Sequence, residues 1–219
     1  MADTEQEQIE LLKKWWHENG KAIVMGVVVS LVAFLSWTTW QNHERAKNEA
    51  AADLYQQMLV ASESVSSDGK VVELAEQLRK DYPNTAYAIF ASLRLAKDAV
   101  VANDLSRAAS LIDWAQNQRP DASLLPLIGL RLAQVQYAQG EFDKALASLS
   151  QIKPSDVWQA AIAELRGDIL QSQNKFDEAR DSYNIALKAL EVTGDQERHA
   201  VVEIKLSGLV KPAAVGDHP

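Results

Sequence analysis

The pattern of hydrophobic positions divides the chain into an apolar run near the N-terminus and a long region of helical periodicity. Residues 22–40 read AIVMGVVVSLVAFLSWTTW and contain no charged side chain. Because a helix rises about 1.5 Å per residue, this run would span roughly 28 Å, close to the thickness of the hydrocarbon core of a bilayer. The run is apolar around its whole circumference, which favours a membrane span over a buried helix of a soluble protein.

Aromatic and basic side chains flank the run at the positions where a membrane helix meets the interface. Trp15, Trp16 and Lys21 precede its core, and Trp37 and Trp40 close it. The alternative is a cleaved signal peptide. The run is longer than the apolar core of such a peptide and no small-x-small cleavage site follows it, so we predict a retained transmembrane helix over residues 22–40.

The lysines and arginines beside the run bear on its orientation. Lys13, Lys14 and Lys21 come before it, whereas Arg45 and Lys47 follow it. Under the positive-inside rule this small excess favours a cytoplasmic N-terminal segment, residues 1–21.

Small residues recur along the predicted membrane helix. Ala22, Gly26 and Ser30 are spaced four apart, so they share one face of the helix. Such a stripe lets another helix approach closely, which predicts a contact with a partner membrane helix. The alternative is that these positions are small only because small residues are common in membrane helices.

Beyond residue 41 the apolar residues recur at helical spacing, with almost no strand signal, so the predicted fold class is all-α. Turn-forming residues interrupt the helices at Asp68-Gly69, Tyr82-Pro83-Asn84, residues 120–126, Gly140, Pro154, Asn174 and Gly194.

The helical region repeats itself. Residues 130–152 and 164–186 align at a shift of 34 positions, and residues 93–115 match 130–152 at a shift of 37. In the three copies, the position between paired helices is filled by Asn103, Gly140 and Asn174. Gly and Asn best tolerate the left-handed backbone that such a turn needs.

Small residues also recur within the paired helices of the copies. They are Ala133 and Gly167 on the first helices, and Ala145 and Ala179 on the second helices. At these positions we expect the paired helices to touch. A period of 34 with this pattern resembles the tetratricopeptide repeat, a helix–turn–helix unit.

The sequence therefore predicts a tetratricopeptide-like helical repeat solenoid over residues 41–210, with a disordered tail over 211–219. Residues 44–82 are expected to form a less regular first helix pair. Residues 195–206 are expected to form a terminal helix that packs Ala200, Val201 and Ile204 against the last repeat, since the end units of a solenoid depart from the consensus.

The resemblance to tetratricopeptide repeats also suggests a binding surface, because the first helix of each pair lines the concave face of such an array. Eight residues of the first two copies would form this groove: Phe90, Leu93, Lys97, Val100, Leu127, Leu130, Gln134 and Tyr137. The third copy would add the polar Glu164, Asp168 and Gln171.

Most of the eight groove residues are apolar, which favours an apolar protein-binding groove. Lys97 is the one cation that the repeat register places on this surface, so a clamp for acidic C-terminal tails is not expected. The alternative is that the first helix pair or the C-terminal helix covers these residues.

Composition and charge argue against several classes of function. The net charge of −8, from 22 Lys and Arg against 30 Asp and Glu, argues against nucleic acid as a partner. The chain has no cysteine, and its four histidines include no His-Glu-x-x-His motif. No glycine-rich phosphate loop occurs. We predict no catalytic site, metal or cofactor, and a protein that is not an enzyme.

The order of parts resembles the ancillary SecYEG translocon subunit family of the bacterial inner membrane. The likeness is carried by Trp15-Trp16-His17-Glu18-Asn19-Gly20-Lys21 before the anchor, by Trp37, Trp40 and His43 after it, and by Trp158 with Leu165-Arg166-Gly167-Asp168 in the repeats.

The resemblance implies an inner-membrane protein with a cytoplasmic N-terminus and a periplasmic repeat domain. It implies partners as well: the SecYEG translocon, a PpiD-type membrane-anchored chaperone, and periplasmic chaperones or client proteins, besides membrane lipid. The implied role is an adaptor that helps pass newly translocated proteins to periplasmic chaperones. A cell-envelope assembly scaffold or a membrane-tethered regulator built on the same repeats remains the alternative.

Overall fold

The computed structural model describes residues 2–63, 68–153 and 155–209, apart from the side chains of residues 2–8, 11, 12, 22 and 68. Within these ranges the chain is helical and has no strand, as the sequence predicts. The helices are α1 (Ala2–Ser62), α2 (Asp68–Asp81), α3 (Ala86–Val101), α4 (Leu105–Asn117), α5 (Leu125–Ala138), α6 (Phe142–Gln151), α7 (Asp156–Ser172), α8 (Phe176–Thr193) and α9 (Gln196–Ser207). The break expected at Pro154 and the tail 211–219 lie outside the described residues.

The chain divides into two compact units, Met1–Ala50 and Ala51–Pro219. The first unit belongs to α1 and holds the apolar run. In the described part of the chain, α1 alone contains a stretch long and apolar enough to cross a membrane, with a mean hydropathy of 1.9 and none of it buried. Ser30 and Thr39 donate their hydroxyl hydrogens to backbone carbonyls one turn back, so these polar groups are satisfied within the helix.

The second unit has the repeat turns that the sequence predicts. Asn103, Gly140 and Asn174 have φ angles of 59°, 76° and 61°, which confirms the left-handed backbone at all three positions. In each turn the N–H of the following residue donates to the carbonyl oxygen five residues back, at 2.8–2.9 Å. The three turns therefore end their helices with one and the same hydrogen-bond pattern.

The helices of the second unit stack in the order of the sequence. From α2 onward each helix packs against the next, as expected for stacked repeats. Buried apolar side chains form three successive clusters, the first from the end of α1 to α5, the next from α5 to α7 and the last from α7 to α9. Ala133, Ala145 and Ala179 are fully buried at the helix contacts, in agreement with the repeat register.

The prediction for the packed face of the terminal helix is wrong. α9 lies close to the expected bounds, but the three residues expected to pack are exposed: Ala200, Val201 and Ile204. Val202 is fully buried instead, and Leu206 packs in the same cluster. Lys205 and Arg198 reach acidic side chains of α7 in this rotation of α9, and Val201 and Ile204 face solvent.

Candidate protein-binding cavity

A cavity of about 620 Å³ lies in the first part of the repeat domain, lined mainly by α3 and α5. Its size falls within the range of roughly 300–1,000 Å³ that is usual for ligand sites. On α3 the lining residues Phe90, Leu93, Lys97 and Val100 follow one another at spacings of three and four, so they form one face of the helix.

The structure brings together six of the eight residues predicted for the groove. They are Phe90, Leu93, Lys97, Val100, Leu127 and Gln134. Leu130 and Tyr137 do not line the cavity. Leu130 is 5% exposed within the core of α5 to α7, and the Tyr137 hydroxyl lies 3.0 Å from the Ser172 hydroxyl, with which it shares a hydrogen bond.

The difference on α5 arises from a small rotation of the lining face. The residues of α5 that line the cavity include Leu127, Arg131, Gln134 and Ala138, whereas the sequence register placed positions 130 and 137 there. One residue advances the side chain by about 100° around a helix, so a shift of one position exchanges core for cavity.

Aromatic side chains close one end of the cavity. Tyr55, from the last part of α1, has its ring centroid 6.2 Å from that of Phe90 and 5.7 Å from that of Tyr87. Tilted aromatic pairs at such distances are favourable, so Tyr55 and Phe90, which both line the cavity, form a stable apolar wall. The first helix pair thus covers one end of the predicted groove and leaves the cavity beyond it.

Positive charge is the feature of this cavity that sequence reasoning missed. Arg94 and Arg131 line it together with Lys97, and none of the described residues that line it is acidic. The Arg94 Nε donates to Asp98 at 3.3 Å, and the Arg131 Nη1 donates to the amide oxygen of Gln134 at 2.9 Å. The sequence contained a signal for this charge, because Arg131 lies one helical turn after Leu127 and therefore shares the helix face on which Leu127 was predicted to line the groove.

The polar residues of the third copy lie under α9. The Lys205 ammonium donates to Glu164 and to Asp168, both at 2.8 Å, and the Arg198 guanidinium donates to Glu164 at 2.7 Å. Burial alone would raise the pKa of Glu164, but the hydrogen bonds from Lys205 and Arg198 hold that pKa below its usual value. The C-terminal helix therefore covers this part of the predicted groove.

A tyrosine from α8 completes this polar cluster. The Tyr183 hydroxyl lies 2.8 Å from a carboxylate oxygen of Asp168 and 2.9 Å from the amide oxygen of Gln171. Burial raises the pKa of Tyr183, and the hydrogen bond to the Asp168 carboxylate raises it further. Tyr183 therefore stays protonated and donates a hydrogen bond to the acidic face of α7.

The small-residue stripe lies on the continuous helix α1, so its positions, four residues apart, share one face of the helix. Gly26 and Ser30 are exposed, and no described atom lies within 4 Å of a β-carbon built at Gly26. The side chain of Ala22 lies outside the described part of the chain. Contact of this stripe with another helix stays a prediction.

The described ranges contain no group of three or more His, Asp or Glu side chains arranged to hold a metal ion. His199 lies 3.7 Å from Glu203 and 3.9 Å from Glu191, a pair of surface contacts at the end of the repeat domain. The candidate site is a cavity with apolar walls and a cationic side.

Comparison with known proteins agrees with this architecture. The family model described as a tetratricopeptide repeat-like domain matches residues 13–211. A protein of Haemophilus influenzae named Ancillary SecYEG translocon subunit is 32% identical over 205 residues, covering 94% of this chain and 97% of its own. The Escherichia coli protein of the same name is 33% identical over 187 residues, covering 85% and 89%.

Among solved structures, MamA 41-end from Desulfovibrio magneticus RS-1 is similar with a TM-score of 0.51 at 14% sequence identity. The match covers 74% of this chain and 94% of that one. At this identity the similarity supports the helical repeat fold alone.

Proposed function

This chain belongs to the ancillary SecYEG translocon subunit family, and on that basis we propose that it is a membrane-anchored, protein-binding adaptor at the Sec translocon. In this role it helps pass newly translocated proteins to periplasmic chaperones. The observation that carries the proposal is the similarity over 94% of the chain, which takes in both the apolar helix and the repeats that form the cavity.

The two units of the chain suit two kinds of contact. In a membrane, helices associate through close packing, so the small residues Gly26 and Ser30 support a lateral contact with SecYEG or with a PpiD-type membrane-anchored chaperone. In water, binding energy concentrates in a few buried apolar and aromatic anchors. Phe90, Leu93 and Leu127 offer a partner such anchors in the cavity.

The proposed orientation has the N-terminus in the cytoplasm and the repeat domain in the periplasm of a bacterial inner membrane. The excess of lysine before the apolar run supports it, because positive residues are retained on the cytoplasmic side. We propose a binding role and no catalysis, since the family is one of translocon subunits with tetratricopeptide-like repeats.

Cysteine labelling tests the orientation directly. The chain has no native cysteine, so each introduced thiol reports on a single position. In intact cells, a membrane-impermeant maleimide should label Ser110→Cys at an exposed position of α4, whereas Lys14→Cys should react only after the membrane is permeabilised. The opposite pattern would overturn the proposed orientation and, with it, the role in receiving translocated proteins.

Site-specific photo-crosslinking tests the role itself. A benzoylphenylalanine at Val100, inside the cavity, should form adducts with a chosen secretory precursor during its export, as detected by immunoprecipitation of that precursor. The matched control is the neighbouring Val101, which is 80% exposed and does not line the cavity. Equal adducts at both positions, or none at either, would contradict client binding in the cavity.

The same method separates the membrane contact from the cavity. The probe at Ser30 should form adducts with a SecYEG subunit or a membrane-anchored chaperone, whereas the probe at Val29, on a different face of α1, should form fewer. Adducts with SecYEG that arise only from the repeat domain would show that the stripe is not the contact.

A further inference from the structure

The charge on the cavity wall is opposite to the charge of the chain as a whole. The chain carries a net charge of −8, yet the cavity is lined by Arg94, Lys97 and Arg131 and by no acidic side chain from the part of the chain that the structure describes. Arg94 pairs with Asp98, so one of the three charges is matched nearby. Within the described residues, Lys97 and Arg131 form no ion pair. Two positive charges on the wall thus lack a carboxylate.

These charges lie on a wall that is otherwise apolar. An opposite charge is attracted more strongly beside low-dielectric walls than in open water, because fewer water molecules screen the interaction. Phe90, Leu93 and Leu127 provide those walls. A ligand with only apolar groups would leave the two cations unused, and a basic ligand would be repelled.

The spacing along α3 sets the shape of the preferred ligand. Phe90 and Lys97 are seven residues apart on the same helix, a separation of about 10 Å along its axis. An extended peptide advances about 3.3 Å per residue, so this separation corresponds to about three residues. An apolar anchor beside Phe90 would then bring a residue three positions along to Lys97.

We propose that the cavity binds a polypeptide segment in which a carboxylate follows a large apolar side chain at a distance of about three residues. The proposal rests on the proposed function, because it names the class of client segment that the same cavity receives. The apolar side chain lies against Phe90 and Leu93, and the carboxylate lies between Lys97 and Arg131. The amide of Gln134 on the same wall can bond to the peptide backbone.

Peptide binding to the full-length protein in detergent micelles tests the proposal. Three fluorescent ten-residue peptides share a Leu-Leu pair and differ only at the third position after it, which is Glu, Gln or Lys. By fluorescence anisotropy at low salt, the Glu peptide should bind about tenfold more tightly than the Lys peptide. That preference should shrink toward 1 M salt, where the screening length falls to about 3 Å.

Charge variants of the cavity provide a second test of the proposal. Lys97→Gln combined with Arg131→Gln should abolish the preference for the Glu peptide while leaving the Gln peptide within about twofold of its original affinity. The control combines Arg107→Gln with Lys188→Gln, which removes the same charge from exposed positions outside the cavity and should keep the preference.

The outcomes separate this inference from the proposed function. Equal binding of all three peptides, or a preference for the Lys peptide, would overturn the charge-selective segment and leave a client-binding cavity standing. Binding of none of the peptides would remove the support for client binding in the cavity altogether. If the peptides fail and lauric acid binds, the cavity would belong to a fatty acid, and the peptide proposal would be overturned.

Discussion

Gly167 occupies a position where a single methyl group should disturb the repeat packing. A β-carbon built there would lie 2.6 Å from Cδ1 and 2.9 Å from Cζ of the Tyr183 ring, well inside van der Waals contact. The ring has little freedom to move, because Tyr183 is 0% exposed and its hydroxyl is hydrogen-bonded to Asp168. Gly167→Ala must therefore separate α7 from α8 or displace the tyrosine.

Two opposing effects set the size of the change. Overpacking a closely fitted contact costs about 1–3 kcal/mol, and an approach below 3 Å to the buried ring places Gly167→Ala in the upper part of that range, at about 2–3 kcal/mol. Against this, Ala is favoured over Gly inside a helix by about 1 kcal/mol. The net loss in the free energy of unfolding should then be about 1–2 kcal/mol. In a domain of this size, that loss corresponds to a decrease in Tm of about 2–8 °C.

Thermal unfolding of the full-length protein in detergent, followed by circular dichroism, measures this decrease. Gly69→Ala is the matched control, because no described atom lies within 4 Å of a β-carbon there. The preceding repeat has Ala133 and Leu149 where this one has Gly167 and Tyr183. In a Tyr183→Leu background, Gly167→Ala should therefore lose its cost. A Tm for Gly167→Ala within about 1 °C of the Gly69→Ala value would refute the packing argument.

Further predictions concern the same domain. Ala179→Leu should lower the stability by about 1–3 kcal/mol, because Ala179 is fully buried, whereas the exposed Glu178→Leu should stay within about 0.5 kcal/mol; urea titration compares them. Gly140→Ala should cost about 1 kcal/mol, since its φ is 76°, and equal stability would contradict this. Glu164→Gln should lower the Tm at pH 7. The pKa of Glu164 lies below its usual value of 4.5, so its stabilisation is present above that pH and lost as the pH falls through the lowered pKa. The Tm difference should therefore shrink as the pH falls below 4.5 and vanish once the pH is below the lowered pKa, and a constant difference would contradict the ion pair with Lys205.

The parts of the fold that the sequence predicted well are those set by local backbone chemistry. Asn103, Gly140 and Asn174 end helices in a left-handed conformation, and Gly or Asn at a fixed interval is the direct signature of that need. Small residues at helix contacts were equally visible, because a close approach excludes larger side chains.

Features that depend on how one helix is rotated against its neighbours were harder to predict. For α9 the face with Val201 and Ile204 was expected to pack, but the helix is rotated so that Val202 packs in the core, and Lys205 and Arg198 form ion pairs with α7. On α5 a similar shift put Arg131 in the cavity in place of Leu130. A shift of one residue keeps the helical period and still changes the chemistry of the surface.

The ion pairs of α9 also limit what can assemble at that end of the chain. An uncovered last repeat offers its face to another helix, and a head-to-tail contact repeated between copies grows into a filament. Here three hydrogen-bonded contacts from Lys205 and Arg198 satisfy Glu164 and Asp168, while Val202 fills the apolar contact beside them. A second copy would have to break these contacts before it could stack. This resistance matters most when a bilayer confines many copies to two dimensions and raises their local concentration.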